Sequence, residues 1–328
     1  MRQPIARIAG VGAAAPIEVV TNADLERTLD TSDAWIVERT GIRERRRLPA
    51  DRALSDLFVE ASLTALGRAG LPFSAIDTIA CGTVTPDRRL PSTACEVQAK
   101  LGGGTAAAFD IVAACPGWLY TLTVAEGLIA SGASRNVLAL GGDRLSSITN
   151  FADRNTAVLF GDGAGAAVLV PATDERGILA TSIGADGSLA NLLYIPEGGS
   201  SQPPTEAGVR EGLYTIRMAG REVFKVAVRR MAQACHQALG KAGVRPEDID
   251  LLVPHQANIR IIHATAAEAG VPLDKVMINI DRYGNTSSGS IPLALAQAEQ
   301  EGRLKPGMIV LLVTFGAGFT WGAVVIRW

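Results

Sequence analysis

The sequence predicts an α/β fold with a mostly parallel sheet, built from one unit used twice. Three observations predict it. Short β-rich runs alternate with helical runs along the chain, the pattern of strands linked by crossover helices. Residues 65–77 (ALGRAGLPFSAID) and 238–250 (ALGKAGVRPEDID) agree at seven of thirteen positions, in an ungapped match. A second echo has nearly the same offset: a helical run at 116–132 before a strand at 137, and another at 290–302 before a strand at 309. Such a duplication divides the chain near residue 171, into 1–171 and 172–328.

In chain order, the apolar run at 5–9 reads as a first strand rather than a secretion signal, being too short for a signal core. A helix at 55–69 ends in Ala-Gly, and Ile-Asp then opens a strand at 78–83. A helix at 91–101 and a strand at 107–112 follow, then a helix at 116–131 and strands at 137–140 and 164–170. The second unit repeats the plan with helices at 220–242, 259–269 and 290–302 and strands at 251–254, 277–280, 309–314 and 322–326. The segment GDGAGAA (161–167) lacks the lysine of a phosphate loop and the spacing of a dinucleotide fingerprint, so it reads as a tight turn entering a strand.

Composition narrows the function. The chain is 48% hydrophobic and 20% charged, with a net charge of -2, which points to neither nucleic acid nor an anionic membrane. No run approaches the ~20 apolar residues of a membrane span. The four cysteines (Cys81, Cys95, Cys115, Cys235) have no metal-ligand or disulfide spacing, so no metal site is expected and a reducing, cytoplasmic setting is.

The stretch DIVAACPGWLYTLTVAEGLIA (110–130) carries the chemistry. Pro116 suits the first position of a helix and keeps the residue before it out of helical geometry. Cys115 is therefore expected at the N-cap, where the helix dipole favours a thiolate. A small buried core cysteine is the competing reading. His236 and His263 fall inside helical runs and read as surface residues. His255, in VPHQAN, lies just past a strand, at the carboxyl end where α/β sheets place their sites. Asn285, in GNTSSGS, precedes the second copy of the helix that follows Cys115. If the halves pack about a pseudo-twofold axis, Cys115, His255 and Asn285 meet. Glycines in TFGAGFTWG (314–322) let backbone approach a ligand and offer N–H groups to an oxyanion.

The motifs AACPGW, HQANIRI, GNTSSGSIPLAL and FGAGFTWG, with TSDAWIVERTGIRER near the start, resemble the 3-oxoacyl-acyl-carrier-protein synthase III family over essentially the whole chain. The resemblance implies the thiolase-like five-layered αβαβα fold, made of two duplicated halves, acting as a homodimer with no permanently bound cofactor. It implies that a short acyl-CoA primer acylates Cys115, and that His255 and Asn285 support decarboxylation of malonyl-acyl-carrier protein. The resulting carbanion attacks the acyl group, in the condensation that initiates fatty acid synthesis. Ala317 and Cys115 then offer oxyanion N–H groups and Phe315 shields the decarboxylation. Trp35 and Arg154 match positions around the adenine of CoA, and Thr31, Arg39 and Arg260 match positions along its pantetheine and phosphates. Leu90 matches a residue closing the partner's acyl pocket. Arg221, Lys225 and Arg260, with Arg229 and Arg230 beside them, are candidates for docking the carrier protein.

The chain departs from the family pattern at several of these positions. Pro116 follows the nucleophile in place of a small residue, and Ala317 replaces a glycine. Leu90 replaces a large aromatic, and Ala267 and Glu268 stand where some members carry lysines. These departures keep a second reading open: a same-fold homologue in secondary metabolism, acting as an acyltransferase or a specialised condensing enzyme. A cysteine peptidase shares the order Cys, His, Asn but lacks its signature here, and a non-catalytic scaffold would not need all three residues.

Overall fold

A computed structural model describes residues 3–328. Five strands form one sheet: β1 (Ala6–Ala14), β2 (Thr78–Gly82), β3 (Ala107–Ile111), β4 (Val137–Arg144) and β5 (Asp162–Pro171), in the order β1-β5-β4-β2-β3. Four more form a second sheet: β6 (Gly177–Ala185), β7 (Leu251–Pro254), β8 (Ile309–Gly316) and β9 (Thr320–Arg327), in the order β7-β8-β9-β6. The two orders are the same walk through equivalent strands. Where β3 flanks β2, a bridge at Val276 flanks β7, through Leu252. The strand expected at 277–280 does not form. The Gln256 side chain bonds the Met277 carbonyl and the Asn279 N–H, and Ile280–Tyr283 then turns helical.

The sheets are mixed rather than mostly parallel. Strand β2 pairs parallel with β3 and β4, and β7 with β8, whereas β1–β5, β4–β5, β8–β9 and β9–β6 are antiparallel. Three residues, 317–319, join β8 to β9, too few for a parallel crossover.

Among the described residues, seven helices of eight residues or more complete the fold: α1 (Asp33–Thr40), α2 (Leu54–Ala69), α3 (Thr93–Lys100), α4 (Gly117–Ala130), α5 (Gly220–Ala242), α6 (Ile259–Glu268) and α7 (Ser290–Gln300). Strand alternation decides which face meets which helices. On β4, Leu138 and Leu140 face α2 and α3, while Val137 and Ala139 face α4. On β8, Ile309, Leu311 and Val313 face α5 and α6, while Val310 and Leu312 face α4 and α7. The layers run α2/α3, first sheet, α4/α7, second sheet, α5/α6. This is the five-layered αβαβα architecture of two duplicated halves.

The repeated motif has a physical job. Helices α2 and α5 both end at a left-handed glycine, Gly70 and Gly243, with φ of 65° in each. Both repeat copies close on an Asp that ties two strands together. Asp77 accepts the Arg135 and Asn136 N–H groups at the entry to β4, and Asp250 accepts the Ile309 N–H at the start of β8.

Of these strands and helices, two escape the sequence reading, α1 and β6. Helix α1 begins at a Ser32 cap and ends at left-handed Gly41, both legible signals. Strand β6 begins at Gly177, whose φ of 145° and close approach to Ala6 O require glycine. The 161–167 segment is mostly buried strand rather than turn. Gly165 and Gly163 let the first turn of α7 lie directly on β5, since a Cβ at Gly165 would come 2.4 Å from Pro292 Cβ.

Candidate active site

Chain leaving β3 reaches Cys115 through Ala114, which holds a φ of 51° that a residue with a side chain rarely adopts. Pro116, not Cys115, occupies the N-cap of α4, so the thiol sits one residue outside the helix. The Gly117 N–H bonds Ala114 O at 2.8 Å, closing a tight turn around the cysteine. The end of β8 presses on the turn from the other side. A Cβ on Gly316 would lie 2.7 Å from the Cys115 nitrogen, so only glycine fits. The Thr320 hydroxyl lies 2.8 Å from Ala113 O and 2.9 Å from Ala317 O, linking the nucleophile turn to the 317–319 loop.

The turn before α7 repeats this geometry. Ser287 has a φ of 50° and precedes the first residue of α7 by the same interval as Ala114 precedes that of α4. The residue equivalent to Cys115 is thus Ser288, whose hydroxyl packs on Gly117. Asn285, three residues earlier, is 7% exposed and pinned on both sides by backbone. Its N–H donates to Leu159 O at 2.8 Å, and its carbonyl accepts from Gly161 N–H at 3.0 Å. The Ser287 N–H occupies Asn285 Oδ1 at 2.9 Å, which leaves the Nδ2 group as the donor available to a ligand.

His255 follows β7 and is 2% exposed. Its N–H donates to Val313 O at 2.8 Å, and Nδ1 lies 2.7 Å from Ser290 Oγ at the first position of α7. Burial lowers the imidazole pKa to about 3, so the ring is neutral. Ser290 Oγ already receives the Gln256 N–H at 3.4 Å, so its own proton is free for the His255 tautomer that accepts at Nδ1. That tautomer leaves Nε2–H as a neutral donor. The 285–290 turn is therefore common ground: it contains Asn285, packs through Ser288 on Gly117 in the Cys115 turn, and holds His255 through Ser290.

The Cys115 thiol does not fit the expectation of a resting thiolate. Burial pushes its pKa up to about 12, with the buried Asp143 carboxylate adding to the rise, while the Ser287 hydroxyl pulls it down. Desolvation outweighs the helix terminus here.

The expected CoA residues gather at α1. Arg39 and Arg154 both stack on Trp35, at 5.2 and 5.0 Å from the ring centre. Arg154 also bonds Asp30 O at 2.6 Å, and the Thr31 hydroxyl beside it is buried without a partner. Arg260 joins them through Asn258, which accepts the Arg260 N–H and donates to Arg39 O, both at 2.9 Å. Arg260 stacks on Phe224 of α5, between the exposed Arg221 and Lys225. Arg230 is not free for docking, because it stacks on Trp321 at 4.5 Å and pairs with Asp186 at 3.1 Å. Phe315 is buried edge-on against Phe319 at 4.7 Å, and Leu90 is 86% exposed. His236 and His263 are exposed on their helices.

Residues 109–187 match the family described as 3-oxoacyl-[acyl-carrier-protein] synthase III, and residues 239–328 match its C-terminal part. The beta-ketoacyl-[acyl-carrier-protein] synthase III of Roseiflexus castenholzii is 51% identical over 323 residues, 98% of each chain. That of Symbiobacterium thermophilum is 51% identical over 321 residues, 98% of this chain and 97% of its own. The chain belongs to the 3-oxoacyl-acyl-carrier-protein synthase III family. Crystal structures of synthase III from Aquifex aeolicus and Thermus thermophilus superpose with a TM-score of 0.91 each, at 46% and 47% identity. They cover 98% of this chain, and 100% and 98% of their own. The chain is thus an acyltransferase-type condensing enzyme on the thiolase fold, acting at the initiation of fatty acid biosynthesis. Among the described residues no helix is long and apolar enough to cross a membrane, and no group of three or more His, Cys, Asp or Glu could hold a metal ion.

Sequence reasoning missed four residues that support the candidate site: Gly316, Ser287, Ser290 and Asp143. Gly316 was visible as one of several glycines in 314–322, but not as the one lying against Cys115. Asp143 is a lone acid at the end of an apolar strand (VLALGGD), a signal of a buried carboxylate that was available.

Proposed function

We propose that Cys115 takes the acyl group from a short-chain acyl-CoA and that His255 and Asn285 support decarboxylation of malonyl-acyl-carrier protein, giving 3-oxoacyl-acyl-carrier protein, CO2 and free CoA. The observation that carries this is the 285–290 turn, where two neutral donors, Asn285 Nδ2 and His255 Nε2, are fixed by Ser287 and Ser290 beside the Cys115 turn. Decarboxylation develops an enolate on the thioester oxygen, which neutral, prepositioned donors stabilise without a charged base. The Cys115 and Ala317 N–H groups form the second oxyanion hole, for the acyl transfer, and Phe315 walls the site.

Trp35 and Arg154 hold the adenine, while Thr31, Arg39 and Arg260 line the path of the pantetheine and phosphates. The unpartnered Thr31 hydroxyl is a polar group that a ligand would satisfy. Arg221, Lys225 and Arg260 form a basic face for the acidic carrier protein at the same mouth. The working form is a homodimer in the cytoplasm. Strand β3 is the free edge of its sheet, flanked by Leu90 and by Val112, which is 79% exposed, and an apolar edge of this kind is what a second copy covers. In that arrangement Leu90 closes the partner's acyl pocket. The halves divide at 171/172, between β5 and β6, with Cys115 in the first and His255 and Asn285 in the second.

A primer scan tests this reading. Purified protein receives malonyl-acyl-carrier protein and acyl-CoAs from acetyl to octanoyl, straight and branched, and the product is read by mass. Condensation with a group of short primers is the expected result. Acylation of Cys115 without condensation across the series would overturn the assignment of His255 and Asn285.

A further inference from the structure

The 317–319 loop that joins β8 to β9 is held from two sides beyond its own strand pairing. On the inner side stands Thr320. Its hydroxyl lies 2.8 Å from Ala113 O and 2.9 Å from Ala317 O, so one side chain spans the nucleophile turn and the loop. The Ala113 carbonyl belongs to the peptide that runs into left-handed Ala114 and then Cys115. The Ala317 carbonyl fixes residue 317 itself, while the pairing of Gly316 with Thr320 fixes the residue before it. The Ala317 N–H is thus set from both ends, and Gly316 lies against the Cys115 nitrogen.

On the outer side stands Asp186, just past β6. Its N–H donates to Phe319 O at 2.7 Å, and it accepts the Phe319 N–H at its own carbonyl at 2.9 Å. The Asp186 carboxylate is held in turn by the Ser188 hydroxyl at 2.6 Å and by Arg230 of α5 at 3.1 Å. The Arg230 guanidinium stacks on Trp321, the neighbour of Thr320. Tyr120 closes the circuit: its hydroxyl, on α4, donates to Gly184 O at 2.8 Å, at the same end of β6. The contacts run from the nucleophile turn through the loop to β6 and back to the helix that the nucleophile precedes.

Acyl transfer to Cys115 and the final condensation both pass through a tetrahedral oxyanion on the acyl carbon. Two backbone donors stabilise it only if their spacing and direction fit the charge as it forms. We infer that Thr320 is the positioning residue of this oxyanion hole: its hydroxyl locks the Ala317 backbone to the nucleophile turn, and the Asp186–Arg230 pair braces the loop from outside. Thr320 acts through the two carbonyls it bonds. Without its hydroxyl both carbonyls lose that donor and the loop is free to turn away from Cys115, and a misplacement of about 1 Å can cost about a hundredfold. Asn285, and the Ser290 that holds His255, lie on the 285–290 turn outside this circuit. Decarboxylation therefore does not depend on it. The enolate left by loss of CO2 has two fates. It attacks the acyl carbon, or it takes a proton from water and becomes acetyl-acyl-carrier protein. A loosened oxyanion hole slows only the attack.

This inference rests on the reading of Cys115 as the acylated residue and of the Cys115 and Ala317 N–H groups as its oxyanion donors, and the test separates the two. Wild type, Thr320→Val, Thr320→Ser and Arg230→Gln are compared. Single-turnover acylation is followed by intact mass as acetyl-CoA is varied. The pre-acylated proteins then receive malonyl-acyl-carrier protein, and CO2, 3-oxoacyl product and acetyl-acyl-carrier protein are measured together. Thr320→Val should slow maximal acylation about 10–100-fold, with the half-saturating acetyl-CoA concentration within about threefold of wild type. Its CO2 release should stay within about threefold, with a larger share of the enolate ending as acetyl-acyl-carrier protein. Thr320→Ser restores the hydroxyl and should bring back both the rate and the product ratio. Arg230→Gln leaves the loop itself intact, should show the same pattern at about two- to fivefold, and remains informative if Thr320→Val fails to fold. A wild-type acylation rate and product ratio in Thr320→Val would overturn the positioning role. So would an equal fall of acylation and CO2 release, which is the mark of a merely structural role. Absence of acylation in wild type would instead overturn the assignment of Cys115, and the oxyanion hole with it.

Discussion

The turns that open α4 and α7 are one backbone used twice, with a left-handed residue at 114 and again at 287, yet they present different side chains. The first presents Cys115, and the second presents Ser288 at the matching place and Asn285 three residues upstream. The helix terminus is the same in both, so what differs is the side chains and what is packed behind them. Gly316 closes on the Cys115 turn, while Ser290 behind the α7 turn reaches His255. Duplication supplied two equivalent frames, and the proposed function divides a two-step reaction between them: acyl capture on one, enolate stabilisation on the other.

Several changes would break or sharpen this division. The largest effect belongs to Cys115→Ala, which should abolish acyl loading while leaving the circular dichroism spectrum and melting temperature near wild type; a surviving acyl adduct would place the nucleophile elsewhere. Asn285→Ala should slow CO2 release by about 10²–10³-fold, the usual loss for one oxyanion donor, with acylation of Cys115 retained. Gly316→Ala forces a methyl against the Cys115 nitrogen, so both half-reactions should fall, and urea unfolding should show a loss of about 1–3 kcal/mol.

Ser290→Ala frees His255 Nδ1 and should lower decarboxylation about tenfold while sparing acyl loading. The pH profile tests the same residue. With a folded pKa near 3 and an ordinary value of 6.5 when unfolded, His255 stays neutral in the enzyme from pH 5 to 8 and adds no inflection to CO2 release there. The unfolded chain binds the extra proton, so the His255 contribution is fully present above pH 6.5 and is lost as pH falls toward 3. Unfolding free energy measured from pH 7 down to 4 should show that slope in wild type. The smallest effect is expected from Arg154→Ala, which removes one guanidinium from Trp35 and should raise the apparent KM for acyl-CoA severalfold with kcat little changed.

The duplication was legible in the sequence because its signals are local: helices ending in left-handed Gly70 and Gly243, and Asp77 and Asp250 tying strands at fixed spacing. The order Cys115, His255, Asn285 was visible for the same reason. Helix α1 carried local signals too, in Ser32 and Gly41. What stayed hidden depends on distant packing. The state of the Cys115 thiol is set by burial and by Asp143, which lies at the far end of the next strand of the chain. The non-strand at 277–280 is set by the Gln256 amide, and the special status of Gly316 by a turn in the other half of the chain.

The division of labour is tested most directly by one experiment on Asn285→Ala, given acetyl-CoA and malonyl-acyl-carrier protein together, with the mass of Cys115 and released CO2 followed in the same sample. The account predicts full acetylation of Cys115 and almost no CO2. Loss of acetylation, or CO2 release at the wild-type rate, would contradict it.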